Sequence, residues 1–266
     1  MNSTMTTIDQ VSRFLDSFAP TRIAEEWDNV GLLVGDPEQE VKKIMTCLTV
    51  TPESSNEAIE RQANLIVTHH PLPFRPIKKI TTTKTPTRLL WQLINNGISI
   101  YSPHTGFDSA TNGINQSVCE RIGLTNIEPL QPFENDPDRL GSGRVGVLKK
   151  EVSCNEFVDS LKNIYGLDRI RYVSGNATVA RVASACGSGG SFLSSASKAG
   201  CDTLITGEAD FHSCLEASAL TMNLILLGHY ASERFAVDML AGQLRKQFND
   251  LNIWASEKES DPIIWA

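Results

Sequence analysis

The 266-residue sequence has no apolar run near the ~20 residues that a membrane span requires, which excludes a helical membrane protein. None of the six cysteines, Cys47, Cys119, Cys154, Cys186, Cys201 and Cys214, stands in a C-x-x-C pair, and most fall in apolar segments. That argues against a disulfide framework and against a zinc ribbon. Basic residues are outnumbered, 24 Lys and Arg against 31 Asp and Glu, so no basic stripe exists to displace the counterions of duplex nucleic acid. Residues 1 to 10 are polar and lack the basic start and apolar stretch of a secretion signal, so a cytoplasmic location is expected. No low-complexity segment is present.

The rest is the composition of a globular chain long enough to bury a substantial core. Val11, Phe14, Leu15 and Phe18 have the spacing of an amphipathic helix behind a Thr7 cap. Residues 43 to 50 read as a strand, Thr51-Pro52 opens a helix to about Arg61, and LIVT at 65 to 68 is a second strand. A helix from about Pro86 stops at Gly97, and ISIY at 98 to 101 follows as a strand. Further on come RVGVLKK, a helix from near Ser153, IRYVS, TVARVASAC, a glycine loop, TLIT at 203 to 206, LILLG at 224 to 228, a helix over about 231 to 248, and NIWA. Strands alternating with helices predict an α/β protein with mostly parallel or mixed sheets. The stretch Glu128 to Gly143 collects prolines, glycines and acids without periodicity, which places a domain boundary there. The expected division is a first domain over 1–128, a second over 129–221 and a closing segment over 222–266 that returns to the first. The spacing from Cys47 to Thr68 is close to that from Cys186 to Thr206, an echo that points to two related halves.

All five histidines, at 69, 70, 104, 212 and 229, lie at or near predicted strand ends, where the loops of a parallel α/β sheet collect ligands. His229 and Glu233 are four apart at a helix start, so they share a face one turn apart. With His69, His70 and Asp108 they make a nitrogen and oxygen donor set without thiolate. Such a set suits zinc, manganese, iron, cobalt or nickel, with positions left for water or substrate. Adjacent histidines cannot aim both rings along one direction, so either two ions or one ligand plus an orienting neighbour is the natural use. His104 is either a ligand or the group that orients Asp108. Glu208 and His212 are candidate proton shuttles. Gly187, Gly189 and Gly190 form a loop that either holds a phosphate on backbone amides or is a tight turn that needs glycine.

EEWDNVGLLVGD (25 to 36), NLIVTHHPLPF (64 to 74), SPHTGFD (102 to 108), ACGSGGS (185 to 191), AGCDTLITGEADFH (199 to 212) and GHYASE (228 to 233) together resemble the Nif-three-like family, whose bacterial members are called GTP cyclohydrolase I type 2 homologs. The resemblance spans nearly the whole chain. It implies two interlinked α/β domains, a dinuclear metal site in the cleft between them and a ring-shaped homohexamer. It also implies that His69, His70, Asp108, His229 and Glu233 hold the two divalent ions. Thr49 and Glu208 stand where the family often carries aspartate, and the extra central domain of longer relatives is missing. The function expected is a metal-dependent hydrolase of a nucleotide or related phosphorylated substrate. The alternative is a non-catalytic metal-binding, metal-delivery or scaffold protein.

Overall fold

The computed structural model describes residues 5–138 and 140–264. In chain order they form α1 (Ile8–Phe18), β1 (Gly31–Val34), β2 (Lys43–Cys47), α2 (Pro52–Glu60), β3 (Leu65–Thr68), α3 (Thr85–Asn95) and β4 (Ser99–Ser102). Next are α4 (His104–Ser109), α5 (Ile114–Arg121), β5 (Thr125–Pro132), β6 (Gly141–Ser153), α6 (Cys154–Tyr165), β7 (Arg171–Val173) and β8 (Thr178–Ala185). The chain ends with α7 (Leu193–Lys198), β9 (Thr203–Thr206), α8 (Phe211–Ala219), β10 (Asn223–Leu226), α9 (His229–Gln247) and β11 (Asn252–Ala255). It divides into two compact units: one holds the chain up to Phe107 and again from Arg234, the other Asp108–Glu233. The division falls inside two helices, α4 and α9.

In the first unit the sheet order is β1-β4-β3-β2-β11. The β11, β2, β3 and β4 strands are parallel, and β1 is antiparallel to β4. Its helices begin where the sequence supplies caps. Thr7 and Gln10 close a capping box on α1, and Thr51 with Pro52 opens α2. Met45, Ile66 and Ile100 from the strands pack with Leu89, Leu90 and Leu93 of α3 and with Trp254.

The second unit has the order β5-β6-β8-β9-β10-β7, with β8, β9 and β10 parallel and the others antiparallel to their neighbours. Successive residues of β9 enter different cores: Leu204 packs with Val145 and Leu193, and Ile205 with Phe157 and Val182. A strand covered on both faces has no polar alternation, which is why TLIT is apolar or small throughout.

The first unit thus holds four parallel strands, β11-β2-β3-β4, and the second three, β8-β9-β10; in each, a short antiparallel strand, β1 beside β4 and β7 beside β10, closes one edge. Cys47 pairs with Thr68, and Ala185, one residue before Cys186, pairs with Thr206. The echo in the sequence corresponds to this common layout.

The stretch expected to separate domains lies within the second unit. Here β5 and β6 pair antiparallel from Thr125↔Val147 to Pro132↔Gly141, so it forms a hairpin connection. Its prolines are compatible with pairing because β5 is an edge strand. The second unit begins at Asp108, ahead of this stretch, because α5 packs with β6 and β8 and β5 pairs with β6.

Candidate metal centre

In the first unit the parallel ladder runs on past β2 and β3: the amides of His69 and His70 donate to Cys47 O and Leu48 O at 2.9 and 2.8 Å. The Thr68 hydroxyl reaches Leu48 O and His70 O, and Ser102 Oγ donates to His69 O at 2.7 Å. These bonds fix the backbone of the adjacent histidines. His104 opens α4 after β4, and its φ of +26° is rare for a side chain of that size. The ring centroids lie 4.9 Å apart for His69 and His70, 5.2 Å for His69 and His104, and 5.7 Å for His70 and His104. One ring nitrogen from each of the three comes within 4.8 Å of the others.

Two of these rings are oriented from behind. His70 Nδ1 is 2.7 Å from Thr49 Oγ1, and His104 Nδ1 is 2.7 Å from Asp28 Oδ1. Burial alone would raise the Asp28 carboxyl, but hydrogen bonds from His104 and Thr105 bring it down to about 2. An anionic partner on Nδ1 turns Nε2 outward as the coordinating nitrogen, the usual arrangement around metal-binding histidines.

In the second unit, α9 starts at His229, so the i,i+4 relation with Glu233 holds: His229 Nε2 is 3.1 Å from Glu233 Oε2. His229 Nδ1 is 3.0 Å from Glu208 Oε1. The bond to Glu233 outweighs burial and, with Glu208, raises the imidazole pKa to about 9. Glu233 itself is buried. Asp108, on α4, accepts from Cys186 Sγ at 3.2 Å. Burial and the charges of Asp108 and Glu233 push the Cys186 thiol well above its ordinary value, so it stays protonated and donates. Asn115 braces this pair by accepting from Cys186 N at 2.8 Å and donating to Asp108 O at 3.2 Å. Asp108 and Glu233 are also the residues at which the chain passes between the units.

Glu208 follows β9 and is engaged by His229, which gives it a positioning contact. His212 is exposed on α8 with its ring against Phe211. The amides of Gly187 and Gly189 donate to Ser232 Oγ and Thr206 Oγ1 at 3.2 and 2.9 Å. Gly187, at φ +60°, leaves room for an acid: a Cβ there would stand 2.3 Å from Glu233 Oε1. At Gly189 a Cβ would stand 2.5 Å from Ala185 O, and at Gly190 2.9 Å from Ala209 Cβ. Asp28, Cys186 and Asn115 were not singled out from the sequence; Asp28 lies in the EEWDN motif but meets His104 across 76 residues of chain.

Imidazole and carboxylate donors with oriented rings fit a divalent transition ion or zinc, and the donor groups that come together among the described residues contain no cysteine. Residues 6–262 match the family described as Duf34/NIF3 (NGG1p interacting factor 3). The chain belongs to this family. It is 33% identical over 260 residues to the GTP cyclohydrolase 1 type 2 homolog of Clostridium perfringens (strain 13 / Type A), covering 96% of this chain and 98% of that relative. It is 34% identical over 261 residues to NIF3-like protein 1 of Drosophila melanogaster, covering 96% and 87%. Its fold matches the crystal structure of the Bacillus cereus protein related to NIF3 with a TM-score of 0.91 over 99% of this chain and 100% of that one, at 23% identity. The family expectation and the α/β fold are therefore both met.

Proposed function

We propose that this protein holds two divalent metal ions through His69, His70, Asp108, His229 and Glu233 and uses them to hydrolyse a nucleotide or related phosphorylated substrate. The observation that carries the reading is the convergence of the His69, His70 and His104 rings, two of them held at Nδ1 by side-chain oxygens. The first unit holds the His69, His70 and His104 imidazoles, and the second holds Asp108, His229 and Glu233. When bound, such ions polarise substrate oxygens and acidify water. The chain's own part is to orient the rings through Thr49, Asp28 and Glu208, and to hold Asp108 through Cys186 and Asn115. The similarity to proteins named GTP cyclohydrolase 1 type 2 homolog supports a nucleotide as the substrate class.

A ring-shaped homohexamer in the cytoplasm belongs to the same proposal. No helix among the described residues is long and apolar enough to cross a membrane. The engagement of Glu208 by His229 favours a second reading, in which the ions serve binding or delivery without turnover. Metal-loaded protein assayed against a nucleotide panel separates the two. Turnover that disappears in Glu208→Gln with metal content unchanged supports the hydrolase and a proton-transfer role for Glu208. No turnover of any nucleotide by wild-type protein with two ions bound supports the non-catalytic reading.

A further inference from the structure

Two large aromatic side chains stand out beside the histidine cluster. Trp27 is 61% exposed and Phe74 44% exposed, both on loops of the first unit. Their ring centroids are 6.0 Å apart, and each lies close to His104, at 6.2 Å for Trp27 and 6.1 Å for Phe74. The interplanar angles are 66°, 78° and 86°, so the three rings form a corner of nearly perpendicular walls. The corner is built rather than incidental. Asn29 Nδ2 donates to Pro73 O at 2.7 Å, which ties the Trp27 loop to the Phe74 loop. Asp28, next to Trp27, is fixed by His104 and Thr105, and its amide donates to Glu25 O at 2.9 Å.

We propose that Trp27 and Phe74 form a stacking subsite for a planar nitrogen heterocycle of the nucleobase class, set beside His104. The proposal deepens the nucleotide reading above and rests on it for the class of ligand. A flat ring stacked on one wall of such a corner turns its edge toward the faces of the others, the offset and edge-to-face geometry that aromatic quadrupoles favour. Stacking tolerates any flat base, because every base has a π-face. The Arg75 guanidinium, 6.0 Å from the Phe74 ring centroid, supplies a local cation for an anionic substituent on a protein whose net charge is -7. The His69 and His70 rings lie 5.2 and 5.7 Å from the His104 ring, so a base seated here stands beside two of the candidate ligands.

The test is calorimetric binding of guanosine, with ribose 5-phosphate as a control lacking the flat ring, to metal-loaded wild type, Trp27→Ala, Trp27→Phe and Phe74→Ala. Trp27→Ala is expected to weaken guanosine binding by about tenfold or more and Trp27→Phe by only about threefold or less, as loss and retention of one stacking face require. Ribose 5-phosphate affinity, metal content and sedimentation mass are expected to stay unchanged. Guanosine that fails to bind wild type, or binds Trp27→Ala and Phe74→Ala as tightly as wild type, overturns the subsite. A change of assembly size in Trp27→Ala overturns it in favour of a contact between copies. Trp27-dependent binding without turnover of any nucleotide keeps the subsite and removes the hydrolase; turnover with Trp27-independent affinity does the reverse.

Discussion

Thr49 Oγ1 lies 2.7 Å from His70 Nδ1, a neutral hydroxyl on the back of a candidate ligand. The hydroxyl sets the direction of the ring without adding charge. Thr49→Val keeps the volume and removes the bond, so metal affinity should fall about tenfold, the low end for losing such an orienting contact. Thr49→Asp should tighten binding, because a carboxylate makes the imidazole more basic. Competition against a chelator measures both. A large fall in melting temperature with unchanged affinity would place Thr49 in the packing and not in the site.

Gly187 separates two readings of the glycine loop. A Cβ at this position would come 2.3 Å from Glu233 Oε1 on a backbone with φ +60°. Gly187→Ala should therefore displace Glu233 and lower metal content, and it should cost ~1 kcal/mol or more in stability through the backbone alone. Elemental analysis and urea unfolding follow the two effects. Full metal content in a folded Gly187→Ala variant would show that Glu233 does not need this space.

Arg144 is buried, and its guanidinium donates to Ser109 O, Ala110 O, Gly141 O and Gly143 O at 2.8 to 2.9 Å and to Gln116 Oε1 at 3.2 Å. Two of those carbonyls lie at the end of α4, directly after Asp108, where helix carbonyls have no partner in the helix and the dipole favours a cation. A lysine cannot reproduce the planar fork. Arg144→Lys is expected to lose about 2–4 kcal/mol of stability, from buried carbonyls left without donors. A loss below about 0.5 kcal/mol in urea unfolding would mean that the fork carries little of this load.

Glu57 gives the fold an acid sensitivity. Burial alone would raise its carboxyl, but hydrogen bonds from Ser256 Oγ, Glu257 N, Trp254 Nε1 and Lys258 N hold it below the ordinary value. A folded-state pKa below the unfolded one stabilises the protein above the unfolded value, and that contribution is lost as pH falls through the folded value. Glu57→Gln should therefore be less stable than wild type by about 1–3 kcal/mol at pH 7, with the gap closing below about pH 4. A gap that stays unchanged as pH falls well below about 4 would contradict the sign.

What was legible in the sequence was local. The His229 and Glu233 pair follows from helical periodicity, and the caps Thr7, Thr51 and Ser153 are read from the residues they precede. LIVT and TLIT announce buried parallel strands because both faces are covered. The groups that orient the ligands were not legible, since Asp28 reaches His104 across 76 residues and Cys186 reaches Asp108 across 78. The short β1, half-buried throughout, has no alternation to betray it, and the prolines of β5 look like a linker until β6 is seen to pair with it. The two units meet at Phe107/Asp108 and at Glu233/Arg234 because pairing over distance, which no local stretch displays, decides where a unit ends.

The most direct test of the account is the metal content of purified wild type, His229→Ala and Glu233→Ala by elemental analysis, with circular dichroism to show that all three are folded. The account predicts about two divalent ions per wild-type chain, as a five-residue set with open positions implies, and a sharp loss in both variants with the fold intact. Full occupancy in both folded variants would contradict it.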